Sequence, residues 1–347
     1  MDTMRGEHHR VTLAAWPTPL EPAPRLARAL GLGPDDLWIK RDDLIGLGGG
    51  GNKVRKLEWT CGQALAEGAR TLVTSGAPQS NHARLTAAAG ARLGMDVVLV
   101  LAGGPAECGS GGDGDSDGVK DTVTAAGNLA LDGLLGARIV WAGAVGGAEL
   151  AAVLDRVVGE LRERDAAPAL IPFGGSSPVG ALGYVEGGRE LLAQAPDLAT
   201  AVVALGSGGT MAGLVHALGP ERVLGVHCGA VADPARTVDL LLTGLYAPSP
   251  APRKPPLRLR PDQVGAGYSR LTEPVADALL LAARTEGLVL DPVYTGRAMA
   301  GLVAAVREGD IRPGERTVFV HTGGLPGLFG HPEALVRAGE ALAARTM

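Results

Sequence analysis

The stretch Gly48-Gly49-Gly50-Gly51-Asn52-Lys53-Val54-Arg55-Lys56-Leu57-Glu58 organises this chain. It follows the apolar-basic run Leu37-Trp38-Ile39-Lys40-Arg41 and opens into a helical pattern. Four consecutive glycines reach conformations that other residues avoid, and they let the backbone approach a ligand closely. Asn52 is placed to cap the helix, which sets Lys53 in its first turn. An ammonium group is disfavoured at the positive end of a helix dipole, so a neutral, nucleophilic amine comes within reach there. The plainer reading is a flexible loop followed by two solvated lysines, and this stretch taken alone favours it. A P-loop is excluded: Asn52 stands between Gly51 and Lys53, and Val54 takes the place of the required Ser or Thr.

Composition narrows the field. The 347 residues suffice for two domains and a sizeable core. Hydrophobic residues make up 46%, which marks a globular chain. Aromatics are only 3%, so the core must rest on Ala, Val and Leu. A net charge of −5 without a long basic run argues against nucleic acid or anionic membrane as partners. No apolar run reaches the length of a membrane span, and Met1 to Arg10 lacks the apolar centre of a signal peptide. Cys61, Cys108 and Cys228 show no metal spacing and cannot all pair, so no metal is expected and a reducing cytoplasm fits.

Strand, helix and strand patterns alternate along the chain. Leu37–Arg41, Thr71–Ser75, Val97–Leu101, Arg138–Trp141, Ala201–Leu205, Val223–Val226 and Thr317–His321 read as strands. Helical patterns follow Lys53 and run over Asn81–Leu93, Thr122–Leu135, Ala148–Glu163, Gly180–Ala195, Met211–Leu218 and Glu273–Glu286, with another from Thr295. This spacing predicts parallel sheets with right-handed crossovers. Gly103–Gly118, rich in Gly, Ser and Asp, reads as a surface loop whose spacing is not that of a calcium-binding EF-hand. Pro248–Pro261 reads as an extended surface connection.

Chemistry collects at the turns. Gly206-Ser207-Gly208-Gly209-Thr210 joins a strand to a helix, where free N–H groups and the helix dipole make an anion nest and Thr210 adds a hydroxyl. It is not the dinucleotide fingerprint, because Met211 stands where the third glycine would fall. A tight turn is the alternative, and the strand-turn-helix context favours phosphate. Gln79-Ser80-Asn81-His82 is a second such turn, able to hold a carboxylate or simply to cap a helix; His82 is either a general base or a partly exposed first-turn residue. Asp291-Pro292-Val293-Tyr294-Thr295-Gly296 and His321-Thr322-Gly323-Gly324 are two more, and Tyr294 offers either a flat face for a ring or core packing. All lie at the carboxyl ends of expected strands, where open parallel sheets bind ligands. One lysine, one phosphate nest and one carboxylate nest together describe pyridoxal phosphate and an amino acid.

The chain resembles the fold type II pyridoxal-phosphate enzymes, the tryptophan-synthase β-like fold. Within that fold it is most similar to the family of D-cysteine desulfhydrases and aminocyclopropane-carboxylate deaminases. The resemblance rests on Lys40-Arg41-Asp42-Asp43, Gly50-Gly51-Asn52-Lys53 with Arg55-Lys56-Leu57-Glu58, Gln79-Ser80-Asn81-His82, Gly127-Asn128-Leu129, Gly183-Tyr184-Val185-Glu186, Asp291 to Gly296 and His321 to Gly324. It implies an α/β fold of two open, twisted, mostly parallel sheets flanked by helices. A small domain, 53–163, is then inserted in a larger one made of 1–52 and 164–347, with the cofactor in the cleft between them. It further implies that Lys53 carries pyridoxal phosphate as a Schiff base, that Asn81 meets the ring's phenolic oxygen, and that Gly206, Ser207, Gly208, Gly209 and Thr210 hold the phosphate. Tyr294 lies against the ring, Tyr268 is a second active-site tyrosine, and Gln79, Ser80 and Asn81, with His82 beside them, hold the substrate carboxylate. Ring-opening deaminases carry Glu and Leu where this chain has Thr295 and Thr322. Without that Glu the ring is a weaker electron sink, which suits β-elimination of a good leaving group. The resemblance therefore points to a homodimeric lyase acting on D-cysteine, ahead of a ring-opening deaminase or a lyase with another leaving group, such as a cysteate sulfo-lyase. Pro78, Gly327 and Gly330 depart from the family pattern.

Overall fold

The computed structural model describes residues 9–105, 125–247 and 256–346. Its ten strands, among the described residues, form two sheets. The larger runs in the order β1 (Leu20–Pro22), β2 (Leu37–Lys40), β10 (Thr317–Val320), β7 (Thr200–Leu205), β8 (Val223–His227) and β9 (Arg258–Arg260). Only the β1–β2 pairing is antiparallel. The smaller is parallel throughout, in the order β5 (Arg138–Trp141), β4 (Asp96–Leu101), β3 (Thr71–Gly76) and β6 (Pro168–Leu170). Helices flank both sheets, and the expected fold is the one found.

Burial on both faces explains the near-continuous apolar runs of the central strands. Successive side chains of a strand point to opposite sides. Val202 of β7 therefore joins Ile39, Val226 and Phe319 in the core under helices Glu273–Glu286 and Thr295–Arg307. Its neighbour Val203 joins Val318, Val320, Met211 and Leu214 on the other face, beneath helices Pro178–Gln194 and Gly209–Leu218. β4 divides in the same way, Val97 and Leu99 to one side, Val98 and Val100 to the other. Each such side chain contributes about 1.5–3 kcal/mol when fully buried, so Val and Leu replace the missing aromatics by number.

A buried ionic cluster fastens the Lys53 helix to the larger sheet. Arg55 makes a two-pronged contact with Asp42, Nε to Oδ2 and Nη2 to Oδ1, both at 2.9 Å. It also reaches Glu190 Oε2 at 2.9 Å and stacks 4.0 Å over the Trp16 ring. Lys40 pairs with the same Glu190, and Tyr184 donates its hydroxyl to Asp42. Burial alone would push the Asp42 carboxyl up, but the Arg55 guanidinium outweighs it and holds Asp42 below its ordinary value.

Three local expectations are corrected. Asn52 occupies the N-cap position but does not cap; its backbone is already helical and its amide reaches elsewhere. Within the Pro-Arg stretch, Arg258–Arg260 is an edge strand rather than a surface connection: it pairs in parallel with β8, and Arg260 turns in to Asp262 and Glu308. His82 is buried, not partly exposed. Most of the Gly/Asp-rich loop, from residue 106 on, lies outside the described residues, as do 248–255 and Cys108. Cys61 and Cys228 are free and buried. Among the described residues no cluster of side chains is suited to a metal, and no helix is long and apolar enough to cross a membrane.

Candidate active site

Turns at the carboxyl ends of β2, β3, β7 and β10 converge on one cleft of about 930 Å³, part of it open to solvent. Its wall brings together Lys53, Ser80, Asn81, His82, Gly206, Ser207, Gly208, Thr210, Tyr268, Tyr294 and Thr322, which are scattered through the sequence.

All four glycines ahead of Lys53 have positive φ: 53° at Gly48, 82° at Gly49, 78° at Gly50 and 128° at Gly51. A Cβ on Gly50 would meet the Asp43 carbonyl oxygen at 2.3 Å, so the loop is both left-handed and tightly backed. It delivers Lys53 to the first residue of helix Lys53–Ala66. Burial lowers the Lys53 amine to about 8, against opposing pulls from Cys228 and Asp291. Burial pushes the Cys228 thiol up to about 12. It is therefore neutral near pH 7, and Asp291 is the counter-charge left. A neutral Lys53 amine is thus accessible near neutral pH.

Lys56, one helical turn on, faces the same cleft. Its Nζ donates to Ser176 Oγ at 3.0 Å and the Gly174 carbonyl at 3.2 Å. Ser176 Oγ meets Ser207 Oγ at 2.7 Å and receives the Gly209 N–H at 3.1 Å. Gly208, left-handed at φ 87°, starts helix Gly209–Leu218. Asn52 Nδ2 donates to Thr210 Oγ1 at 2.9 Å. The Gly206–Gly208 turn, the Ser207 and Thr210 hydroxyls and Lys56 thus line one concavity, with Ser176 bonded to Lys56, Ser207 and Gly209 beside it. Burial, with Lys53 beside it, holds Lys56 well below the usual lysine range. A buried lysine with no counter-ion among the described residues, beside an anion nest, is what a phosphate group would complete.

Opposite stands the β3 turn. Ser80 caps helix Asn81–Leu93, accepting the Ala83 N–H at 3.1 Å, and also lines the cleft, so the capping and ligand readings hold together. His82 Nε2 lies 3.0 Å from Thr74 Oγ1, whose own hydrogen goes to the Ile171 carbonyl at 2.8 Å. Nε2 is therefore the protonated nitrogen, and Nδ1 is a buried acceptor with no hydrogen-bond partner among the described residues. Burial, then Lys53 and Lys56, push the imidazole well below its usual value and keep it neutral.

The Tyr294 ring packs on Gly206, where a Cβ would come within 2.9 Å of Cε1. Tyr268 and Tyr294 share a hydrogen bond between hydroxyls, with rings edge to face and centroids 6.0 Å apart. Burial raises the Tyr268 hydroxyl to about 12, though Tyr294 opposes the shift, and raises Tyr294 well above the usual value.

Three expected site residues lie off the wall. The Gln79 amide is turned away, bonding Ala126 O at 3.0 Å and the Asn128 N–H at 2.9 Å. Gly209 spends its N–H on Ser176 Oγ. The Thr295 hydroxyl accepts from Asp291 N at 2.8 Å and donates to Asp291 Oδ1 at 2.7 Å, so it is spent on the turn. Sequence reasoning missed Lys56, Ser176 and Asn52 as parts of the phosphate side. The signal for Lys56 was its place three residues after Lys53, on the same helical face. Ser176 was signalled by the Gly174-Gly175-Ser176-Ser177 turn.

A poised lysine, an anion nest with its own cation and a flat tyrosine suit pyridoxal phosphate. Residues 11–323 match the family model described as pyridoxal-phosphate dependent enzyme. A Pyrococcus abyssi protein with the provisional name 1-aminocyclopropane-1-carboxylate deaminase is 38% identical over 97% of this chain and 98% of its own length. The D-cysteine desulfhydrase of Klebsiella pneumoniae is 38% identical over 93% of this chain and 96% of its own. A crystal structure titled as an ACC deaminase homologue superposes with a TM-score of 0.82 at 36% identity, covering 95% of this chain and 96% of that one. A tomato threonine deaminase, at 17% identity, 95% and 88% coverage and a TM-score of 0.62, shares the fold alone. The nest, the buried lysine and these relatives agree: the chain belongs to the pyridoxal-phosphate dependent enzymes of fold type II, in the branch that holds the ACC deaminases and D-cysteine desulfhydrases.

Proposed function

We propose that this lyase converts D-cysteine and water to pyruvate, ammonia and hydrogen sulfide. One observation carries the choice: among the described residues the cleft wall presents Thr322 but no Asp or Glu side chain. Relatives bear both names at similar identity, so identity alone does not choose. A carboxylate beside the ring nitrogen would keep it protonated and deepen the electron sink that ring opening demands. A hydroxyl does not, and thiolate leaves readily without it.

Pyridoxal phosphate supplies, when bound, an aldehyde for amine exchange and an electron-withdrawing ring. Lys53 would hold the aldehyde of the bound cofactor. Once freed, its neutral side chain would be the base for the substrate's Cα proton. Ser80 and the N–H groups opening helix Asn81–Leu93 hold the substrate carboxylate, which fixes the hydrogen that faces Lys53. Asn81 would donate to the ring hydroxyl oxygen and Tyr294 would back the ring, with Tyr268 fixing the Tyr294 hydroxyl. The nest from Gly206 to Thr210, with Lys56 and Ser176, would hold the phosphate.

Product analysis tests this reading. Protein loaded with pyridoxal phosphate should release equimolar pyruvate, ammonia and sulfide from D-cysteine, with much slower turnover of L-cysteine. 2-Oxobutyrate from aminocyclopropane-carboxylate, with no pyruvate from either cysteine, would reverse the assignment.

A further inference from the structure

Behind the cleft wall lies a buried polar cluster that the scheme above leaves unused. Arg84 on helix Asn81–Leu93 is fully buried, as are Asn128 and Asp132 on helix Gly127–Leu134. Arg84 Nε donates to Asn128 Oδ1 at 2.9 Å, and Nη2 to Asn81 Oδ1 at 3.3 Å. Its Nη1 donates to the carbonyls of Gly48 and Gly50, the latter at 3.0 Å. Asn128 Nδ2 donates to Asn81 Oδ1 and to the Gln79 carbonyl, both at 3.0 Å. One guanidinium thus holds the glycine loop ahead of Lys53, the Asn81 amide and the Asn128 helix.

These contacts fix two amide orientations in sequence. A guanidinium offers donors only. Asn128 must therefore turn its oxygen to Arg84, which leaves its NH2 facing Asn81. Asn81 in turn must present its oxygen to both Arg84 and Asn128, since the flipped amide would set donors against donors. Its NH2 is left for the cleft. Neither carboxylate oxygen of Asp132 has a hydrogen-bond partner among the described residues, so no direct contact from Asp132 competes for the guanidinium.

We infer that Arg84 is a positioning residue: directly and through Asn128, it turns the Asn81 NH2 into the cleft and polarises it as a donor to the cofactor's ring hydroxyl. This rests on the reading that Asn81 meets that oxygen.

The test compares pyridoxal phosphate with its analogue carrying hydrogen in place of the ring hydroxyl. Affinities for cofactor-free protein are read by quenching of tryptophan fluorescence. Wild-type protein should prefer pyridoxal phosphate roughly tenfold, the worth of one charge-assisted hydrogen bond. Asn81→Ala should erase that preference. Arg84→Met should narrow it to about twofold or less, beyond any equal weakening of both ligands from loss of the Gly48 and Gly50 contacts; a merely structural role would weaken both ligands alike and leave their ratio unchanged. Asn128→Ala removes the other donor to the same oxygen and should narrow the preference too, which keeps the inference testable if Arg84→Met does not fold. An unchanged preference in these two variants, with Asn81→Ala having lost it, overturns the role of Arg84 alone. No preference in wild type, or one that survives Asn81→Ala, overturns the placement of Asn81 and the inference with it.

Discussion

The Asn52 amide donates to Thr210 Oγ1 at 2.9 Å and so ties the helix that carries Lys53 to the nest at the end of β7. Removing it should loosen the register between reactive amine and phosphate. Asn52→Ala is expected to weaken pyridoxal-phosphate retention roughly fivefold, the worth of one net hydrogen bond. Equilibrium dialysis measures this; unchanged retention would make the contact incidental.

Two lysines face the cleft, and borohydride separates their roles. Reduction of the loaded protein should fix the label on Lys53, and Lys53→Ala should lose the visible band. Lys56→Ala should weaken binding of pyridoxal phosphate while leaving unphosphorylated pyridoxal almost unaffected. In cofactor-free protein, amine-directed labelling of Lys53 should rise with pH along a curve centred at about 8, because burial lowers the amine to that value. Label recovered on Lys56 or Lys40 would sink the central assignment.

Arg55 bridges Asp42 and Glu190 with little solvent access. Arg55→Ala leaves the buried Asp42 carboxylate without its cation, while Glu190 keeps Lys40, a change that costs about 3–5 kcal/mol, read by chemical denaturation. Asp42 and Glu190 are both held below their ordinary values once Arg55 outweighs their burial. Their contribution is therefore present above about pH 4, the unfolded carboxylate value, and is lost as pH falls through their lower folded values.

Asp132 behaves in the opposite sense. Burial, against the pull of Arg84, raises its carboxyl to about 7. The folded state then binds this proton more tightly than the unfolded state, so its contribution is full below about pH 4 and fades as pH rises to about 7. Within that window stability should fall by up to about 1.4 kcal/mol per pH unit, and Asp132→Asn should flatten the slope. A slope equally steep in the variant would contradict the assignment.

Thr295 and Thr322 should prove unequal. Thr295→Val strips Asp291 of two hydrogen bonds and should cost about 1–3 kcal/mol of stability with little change in the ratio of D-cysteine to aminocyclopropane-carboxylate turnover. Thr322→Leu, on the wall, should change that ratio. Thr295→Glu would crowd a second buried carboxylate against Asp291, so the pair Thr295→Glu with Thr322→Leu is expected to weaken thiol elimination and folding together. Selectivity that follows Thr295 instead of Thr322 would reverse this division.

The sheets were legible because their signals are local. Val97–Leu101 and Ala201–Leu205 are apolar at every position, as strands buried on both faces must be, and the second is followed by the Gly206-Ser207-Gly208 turn that opens a helix. Asn52 misled because a capping residue and a long-range donor look alike in sequence; only Thr210, far along the chain, distinguishes them. Arg258–Arg260 misled because an edge strand needs backbone partners rather than an apolar run.

By itself the sequence determined the parallel α/β architecture, the left-handed glycine loop that sets Lys53 at the start of a helix, and the strand-turn-helix at Gly206–Thr210. Each depends on backbone conformations and apolar periods encoded by neighbouring residues. Only the tertiary structure decided which polar side chains face the cleft. Asp291 takes the Thr295 hydroxyl, Ala126 and Asn128 take the Gln79 amide, and Arg84 with Asn128 turns Asn81 inward. Lys56 reaches the nest through Ser176. A buried donor or acceptor must find a partner, and most of these partners come from elements distant in sequence, which only folding brings within reach.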